Sequence, residues 1–420
     1  MEKVIIAQNR HWDEPYRNLY ARDLLDRLLP LLSTKHIQVL QGIRRSGKST
    51  LFKLIINHLT RTTDPQEMLY VNLDDPFFIQ YANDPTSLHE VVLTAKKLTS
   101  KRVKYLFLDE VQAISGWERY IKSVYDSGEF EKIFITGSNS SFLDGELATL
   151  LSGRYMSARV YPLSLHEILR LNGIDSYLSL HRELPGVLNL VDNMMRFGSF
   201  VEVYELPDEL KRELLKAYYE TILLKDCVAN KAIRDIKGFK ELSFYLLSNT
   251  ASLCSHASLS RAVGIHDKSV KEYLSHLEES YLFSELKLFS YSLKEQQANK
   301  KKLYLSDNGF FSLSFSFSAN HGKLLENLVF CELQKRGYEI NFYNKQGECD
   351  FIIRKEGRVA AIQVCYALND KNRKREFAGL AKLPFGVDEK RIITYNQKAE
   401  QEGVKAVPFW DYFSGLSPGA

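Results

Sequence analysis

The chain has 420 residues, of which 45% are hydrophobic and 26% charged, and its formal net charge is +4. That composition excludes a mainly disordered chain and a collagen-like one, and the near balance of 56 Lys and Arg against 52 Asp and Glu demands no nucleic-acid partner. At about 150 residues per domain, two or three domains are expected.

Residues 1–170 alternate short β-branched runs with helical patterns. The expected strands are Ile37–Leu40, Met68–Leu73, Tyr105–Leu108 and Ile133–Thr136, an alternation that argues for a parallel sheet covered by helices. From 175 to 285 the pattern is mostly helical, with Leu214, Leu215, Tyr218, Tyr219, Ile222 and Leu223 at helix spacing. Ser255 to Leu286 reads as a helix–turn–helix, turning at Gly264-Ile265-His266-Asp267 with Asp267 as an N-cap. Strands at Tyr281–Ser292 and Lys302–Leu305 would make a hairpin wing, with Glu295–Lys302 as a mobile loop between them. From about 320 onward helix, strands, helix and strands suggest a second α/β unit. No run reaches the roughly 18 uninterrupted apolar residues of a membrane span, and Met1–Arg10 is too short in apolar residues for a secretory signal. A cytoplasmic protein without a membrane partner is expected. Cys227, Cys254, Cys331, Cys349 and Cys365 are odd in number and form no C-x-x-C pair, so buried free thiols are expected rather than disulfides or zinc.

The strongest motif is Gly42-Ile43-Arg44-Arg45-Ser46-Gly47-Lys48-Ser49, a full G-x4-G-K-S between an expected strand and the helix opening at Thr50. Its glycines let backbone curl around phosphates, and loop N–H groups with the helix N-terminus supply donors. Lys48 is a point charge for β- and γ-phosphates, and Ser49 offers a hydroxyl to Mg²⁺. Downstream, the apolar run Tyr105–Leu108 delivers Asp109 and Glu110 to a strand tip, where open α/β sheets bind ligands. Asp109 is expected to support Mg²⁺, and Glu110 to orient or deprotonate the attacking water. His166-Glu167 is not a zinc motif, because Arg170 stands where a second His ligand would be.

An additional strand candidate lies between the two motifs. With Leu108-Asp109-Glu110-Val111-Gln112, Thr136-Gly137-Ser138-Asn139-Ser140, Ser152-Gly153-Arg154-Tyr155 and Tyr161-Pro162-Leu163-Ser164 following the phosphate loop in order, nearly the whole chain resembles one family. This is the large prokaryotic group of AAA-type ATP-binding proteins that carry a C-terminal domain of unknown function. The resemblance implies ATP and Mg²⁺ as ligands and three parts. These are an ATPase domain over 1–170 with a P-loop parallel sheet, a helical and winged-helix segment over 171–310, and a module over 311–420 resembling PD-(D/E)xK nucleases. It implies that Asn139 or Ser138 senses the γ-phosphate, although a Ser/Asn-rich turn reads the same way. Arg154 is read either as a finger completing the site of a neighbouring subunit, which would require a homo-oligomer, or as a surface or structural residue.

A winged helix can enter a DNA groove, here through Arg261, His266, Lys268, Ser269 and Lys271, with Lys300, Lys301 and Lys302 on phosphates. Glu272, Glu278 and Glu279 oppose that, and a protein-contact role is the competing expectation. In the nuclease-like module Glu326 and Asp350 fit two acid positions, with Glu348 in reserve. Gln363 stands where the second strand acid belongs and Cys365 where the Lys belongs, so a fold without its catalysis is expected. The run Lys371-Asn372-Arg373-Lys374-Arg375 opens a helix anchored by Phe377, Leu380 and Leu383, as a solvated face or a contact for DNA or RNA. The expected function is an ATP-binding protein and Mg-dependent ATPase whose nucleotide state controls the later modules. The alternatives are an ATP-gated nuclease and a non-hydrolysing scaffold that recruits a protein or nucleic acid.

Overall fold

The computed structural model describes residues 1–140, 149–229, 231, 233–314, 320–345 and 347–417. The chain divides into two compact units, Met1–Tyr161 and Pro162–Ala420.

The first unit is built on β1 (Ile37–Gln41), β2 (Met68–Asn72), β3 (Tyr105–Asp109), β4 (Lys132–Gly137) and β5 (Tyr155–Arg159). All pair in parallel, in the order β2-β3-β4-β1-β5. Central strands of a parallel sheet are buried on both faces, which is why they read as near-continuous apolar runs. Successive residues still point to opposite sides. On one side Leu51, Phe52, Ile55 and Ile56 of helix α1 (Lys48–Leu59) meet Leu40, Phe107 and Phe134. There the Phe107 and Phe134 rings stack at 4.3 Å, with Phe52 edge-on at 5.3 Å from Phe107. On the other side α2 (Thr86–Thr99) and α3 (Trp117–Ser127) bring Val91, Val92, Ala95, Trp117, Ile121 and Val124 onto Val39, Leu106, Leu108 and Ile135. β5 was not among the expected strands. Its alternating, half-buried residues Tyr155-Met156-Ser157-Ala158-Arg159 lack the apolar run of the central strands.

The edge strand β2 is covered by side chains that act as a strand. The Asn9 amide donates to Tyr70 O (2.9 Å) and accepts from Tyr70 N–H (2.7 Å), and Gln8 accepts from Asn72 N–H (2.8 Å). Met68 O is taken by Trp12 Nε1 (2.9 Å) and faces His11 Nε2 (3.2 Å). This satisfies an edge that would otherwise offer itself to another chain. The second unit opens with helices, including α4 (Asp208–Thr221) and α5 (Ile236–Ser248). The helix–turn–helix consists of α6 (His256–Val263) and α7 (Asp267–Glu279). Beside it lies an antiparallel sheet ordered β6-β8-β7, from β6 (Leu253–Cys254), β7 (Phe283–Leu286) and β8 (Lys301–Leu305).

Two expectations fail here. Asp267 is the first helical residue of α7, and His266, with extended backbone, holds the cap position. The Asp267 carboxylate therefore meets the positive end of the helix dipole rather than capping it. The supposed loop contains a helix, Leu293–Ala298, started by Ser292, whose hydroxyl accepts from Glu295 N–H, and its last two lysines belong to β8. The remainder is α8 (His321–Lys335), β9 (Glu339–Tyr343), β10 (Cys349–Lys355), β11 (Arg358–Val364), α9 (Arg373–Ala381), β12 (Glu389–Thr394), β13 (Ala399–Gln401) and β14 (Val404–Pro408). These strands form a six-stranded mixed sheet ordered β13-β14-β12-β11-β10-β9. Among the described residues no helix is long and apolar enough to cross a membrane. All five cysteines are free, and Cys254 is half-buried where the others are buried.

Burial holds the His11 imidazole down at about 4, only partly offset by its hydrogen bond to Met68 O. The folded state thus binds fewer protons than the unfolded chain between pH 6.5 and 4. Stability from this group is intact above pH 6.5 and falls by about 3 kcal/mol as pH drops through that window. Urea titrations of wild type and His11→Gln at pH 7 and pH 4.5 check this. The loss on acidification should be smaller in the variant by most of that amount.

Candidate functional site

The sheet order puts β4 between β1 and β3, so the tips of three strands converge at one edge. β1 ends at Gln41 and the loop Gly42–Gly47 leads into α1. Gly42 has φ +150, and a Cβ there would lie 2.2 Å from Val160 O, so only glycine lets the loop turn against the chain leaving β5. Gly47, at φ +96, caps α1 in the left-handed conformation. A Cβ there would meet Arg22 Nη1 at 2.8 Å. The buried Arg22 braces the loop from behind, donating to Ser46 O (3.0 Å) and Tyr161 O (2.6 Å). Arg45, at φ +70, is a non-glycine residue in the left-handed region. Arg44 reaches Asp74 at 3.6 Å.

The structure brings the expected residues together. Lys48 Nζ is buried 3.1 Å from Gly42 O, 3.4 Å from Ile43 O and 3.5 Å from Glu110 Oε1. Asp109 is buried at the end of β3 and is hydrogen-bonded by Ser49, the first turn of α1. A hydroxyl and a carboxylate in contact are hard oxygen donors of the kind Mg²⁺ takes when it arrives with phosphates. Ser138 bonds to Glu110 and faces Gln112 Nε2 at 3.5 Å, and Asn139 is buried next to it past the end of β4. Thr50 is the third residue of α1. Arg154 is elsewhere. Its carbonyl accepts from Ile37 N–H (2.8 Å), which places it at the start of β5 and β1, the sheet end opposite the loop. Its guanidinium pairs with Asp126 at 3.2 Å.

Three neighbours escaped the sequence reading. Thr136 Oγ1 donates to Asp109 Oδ1 (2.5 Å) and accepts from Glu110 N–H (2.8 Å). Tyr70 OH donates to Asp109 Oδ2 (2.7 Å), and Gln112 Nε2 donates to Glu110 Oε2 (2.6 Å). Thr136 lay in view, as the last β-branched residue of the strand tip that was singled out. Nothing local marks Tyr70.

The two adjacent carboxylates are driven apart electrostatically. Burial, and then the charge of Glu110, raise Asp109 above the usual carboxylate range against its three hydroxyl donors. Burial would raise Glu110 as well, but Lys48 and Arg44 outweigh it and hold Glu110 below its ordinary value. Glu110 also sits in the left-handed region at φ +54. Strained backbone of this kind persists where surrounding structure fixes it.

In the second unit the two acids expected to form a nuclease-type pair also meet. Glu326 and Asp350 share one cation, Lys302, whose Nζ lies 3.0 Å from Glu326 Oε1 and 2.9 Å from Asp350 Oδ1. Lys302 was expected on phosphates. It is half-buried in an ion pair instead, and Lys301 turns back to the carbonyls of Gln296 and Gln297. Gln363 accepts from Asp350 N–H (3.1 Å) and donates to the buried Glu376 (3.1 Å). Burial pushes the Cys365 thiol up to about 11. Glu348 is exposed beside this group.

A P-loop at the end of β1 in a five-stranded parallel sheet, with β4 between it and the acid pair at the end of β3, defines an AAA-type P-loop domain; the strand expected between the two motifs, β2, lies at the sheet edge. Residues 34–169 match the family model described as an AAA domain. Residues 188–320 and 321–412 match two described as domains of unknown function, DUF8612 and DUF4143. An uncharacterized protein of Methanocaldococcus jannaschii, MJ1544, is 34% identical over 418 residues, covering 93% of this chain and 90% of its own. An uncharacterized protein of Haemophilus influenzae is 29% identical, covering 92% and 96%. The chain belongs to this prokaryotic family of AAA-type proteins with C-terminal domains of unknown function. The Aeropyrum pernix ORC1 protein, solved in complex with DNA, aligns with 78% of this chain and 98% of its own at 13% identity and a TM-score of 0.31, too distant a likeness to inform function.

Thr136→Val keeps the shape but removes both hydrogen bonds, leaving a buried carboxylate and a buried N–H short of a partner. The expected loss is about 2–3 kcal/mol of unfolding free energy, read from urea denaturation. Thr136→Ser should retain most of it.

Proposed function

We propose that the first unit binds Mg-ATP and hydrolyses it, and that turnover controls the modules of the second unit. The observation that carries this is the meeting of Lys48, Ser49, Asp109 and Glu110 at one sheet edge. Lys48 is held by two carbonyls and by Glu110. A triphosphate would draw that ammonium onto its own oxygens, and the loop N–H groups would take the rest of its charge. Glu110, relieved of that ion pair, would gain proton affinity and become a better base to orient and deprotonate water. Ser49 and Asp109 would hold the Mg²⁺ that neutralises phosphate charge. Ser138 or Asn139 would report the γ-phosphate to β4. Arg154, at the far end of the sheet, would act on the nucleotide of a second copy, so that turnover needs a homo-oligomer. Adenine as the base follows from the family.

A second reading concerns a nucleic acid. A cleft of about 880 Å³ in the nuclease-like module is lined by Lys345, Lys371, Lys374, Arg375 and Lys382, against Glu348 and Glu376. With Gln363 in place of an acid, such a cleft would hold a DNA or RNA backbone without cutting it. The exposed Arg261, His266, Lys268 and Lys271 would add contacts from the helix–turn–helix.

Three variants test the first reading. Lys48→Ala should abolish binding of a fluorescent ATP analogue. Glu110→Gln should bind it as wild type does, with turnover lowered about 100-fold or more. Arg154→Ala should bind normally and lose the rise of specific activity with protein concentration. Unchanged turnover in Glu110→Gln would remove Glu110 as the base, and ATP binding by wild type without any turnover would leave only the scaffold reading.

A further inference from the structure

A nuclease-type metal site needs a carboxylate pair with room for a divalent cation between them and a second strand acid to complete the shell. The residues here do not fit that requirement. Gln363 replaces the strand acid, and its amide is committed on both sides, to Asp350 N–H and to Glu376. The space between Glu326 and Asp350 is filled by Lys302 Nζ, at 3.0 and 2.9 Å. We propose that the Lys302 ammonium is the permanent cation of this site, standing where a nuclease-type fold carries its divalent metal.

The surroundings are built for an ammonium. Lys302 and Tyr304 are two residues apart on β8 and so share a face. Tyr304 OH donates to the same oxygen, Glu326 Oε1, at 2.7 Å. The Tyr304 ring stacks on Phe330 of α8 at 4.4 Å, which fixes the strand face against the helix carrying Glu326. Asp350 spends its other oxygen on Val364 N–H of β11, at 3.0 Å. The side chains are 12% (Lys302), 14% (Glu326) and 7% (Asp350) exposed, so water screens the group little. Two carboxylates this close and this dry repel each other unless a cation lies between them, and removal of that cation leaves a demand for another. The donor arrives from the small sheet that flanks the helix–turn–helix, not from the nuclease-like sheet. The ion triad therefore ties β8 to α8 and β10 and closes the site from inside the chain.

Two consequences separate this from a nuclease whose lysine has merely moved to another strand. The wild-type chain takes up no Mn²⁺ at Asp350. A chain without the ammonium does. The full-length protein without nucleotide is titrated with Mn²⁺ by calorimetry and melted with and without the ion. Wild type and Asp350→Asn should give the same isotherm, and each should melt at the same temperature with and without the ion. Lys302→Ala should melt lower than wild type without metal, gain one Mn²⁺ site, and recover several degrees when it is filled. Lys302→Ala combined with Asp350→Asn should lose that gain. Lys302→Met, which keeps the aliphatic stem packed, repeats the test where Lys302→Ala does not fold. The proposal is overturned if wild type binds Mn²⁺ in an Asp350-dependent manner, or if neither Lys302 variant gains a site.

Discussion

The hydroxyl of Thr136 donates to Asp109 and accepts from the backbone of Glu110, and the arrangement of the phosphate site depends on it. One small side chain on β4 fixes the carboxylate of one acid and the backbone of the other. It does so because β4 runs between β1 and β3, so its tip lies beside both the loop strand and the acid strand. With β1 and β3 adjacent, the acids would crowd the loop directly and no third strand tip would stand between them. The Phe107–Phe134 stack, with Phe52 against it, holds the two strands and α1 together under that edge.

From this constraint the electrostatics follow. Asp109 is buried, supplied with hydroxyl donors and raised, while Glu110 faces Lys48 and Arg44 and is lowered. Neighbours in sequence thus differ in proton affinity because one points into the sheet and the other toward the loop. Under the proposed function, that separation would suit Asp109 to anchoring and Glu110 to acting as a base. The ion pair of Lys48 with Glu110 joins the loop to the acid strand through one ammonium, and under the proposed function it would link phosphate recognition to base activation.

The second unit solves a similar problem of buried acids differently. Glu326 and Asp350 are brought within reach of one another by α8 and β10, and the ammonium of Lys302 lies between them. At the phosphate site Lys48 bridges loop and acid at the mouth of a ligand site. At the carboxylate pair the lysine is enclosed, with a tyrosine beside it and a backbone N–H on the far oxygen. The first arrangement is open to exchange, and the second is closed by packing.

The local sequence determined the phosphate loop, the four apolar strands β1 to β4, the acid pair, and the amide and thiol at Gln363 and Cys365. Each of these is a contiguous pattern whose chemistry requires particular residue types at short spacing. Gly42, Gly47, Lys48 and Ser49 are legible because backbone curvature and phosphate charge leave few alternatives, and the strands because burial on two faces demands unbroken apolar runs. The tertiary structure alone decided which distant side chains complete each site. Tyr70, Thr136 and Arg22 reach the loop and its acids only through strand order and the docking of the N-terminal segment. Lys302 read as one of three surface lysines because the position of its neighbours, Glu326 and Asp350, follows from packing between separate elements. The helix at Leu293–Ala298 was missed for a related reason. Its polar sequence carries no apolar stripe, and it is held by the Ser292 cap. Contacts across the fold have no spacing in the chain, so no period or motif announces them.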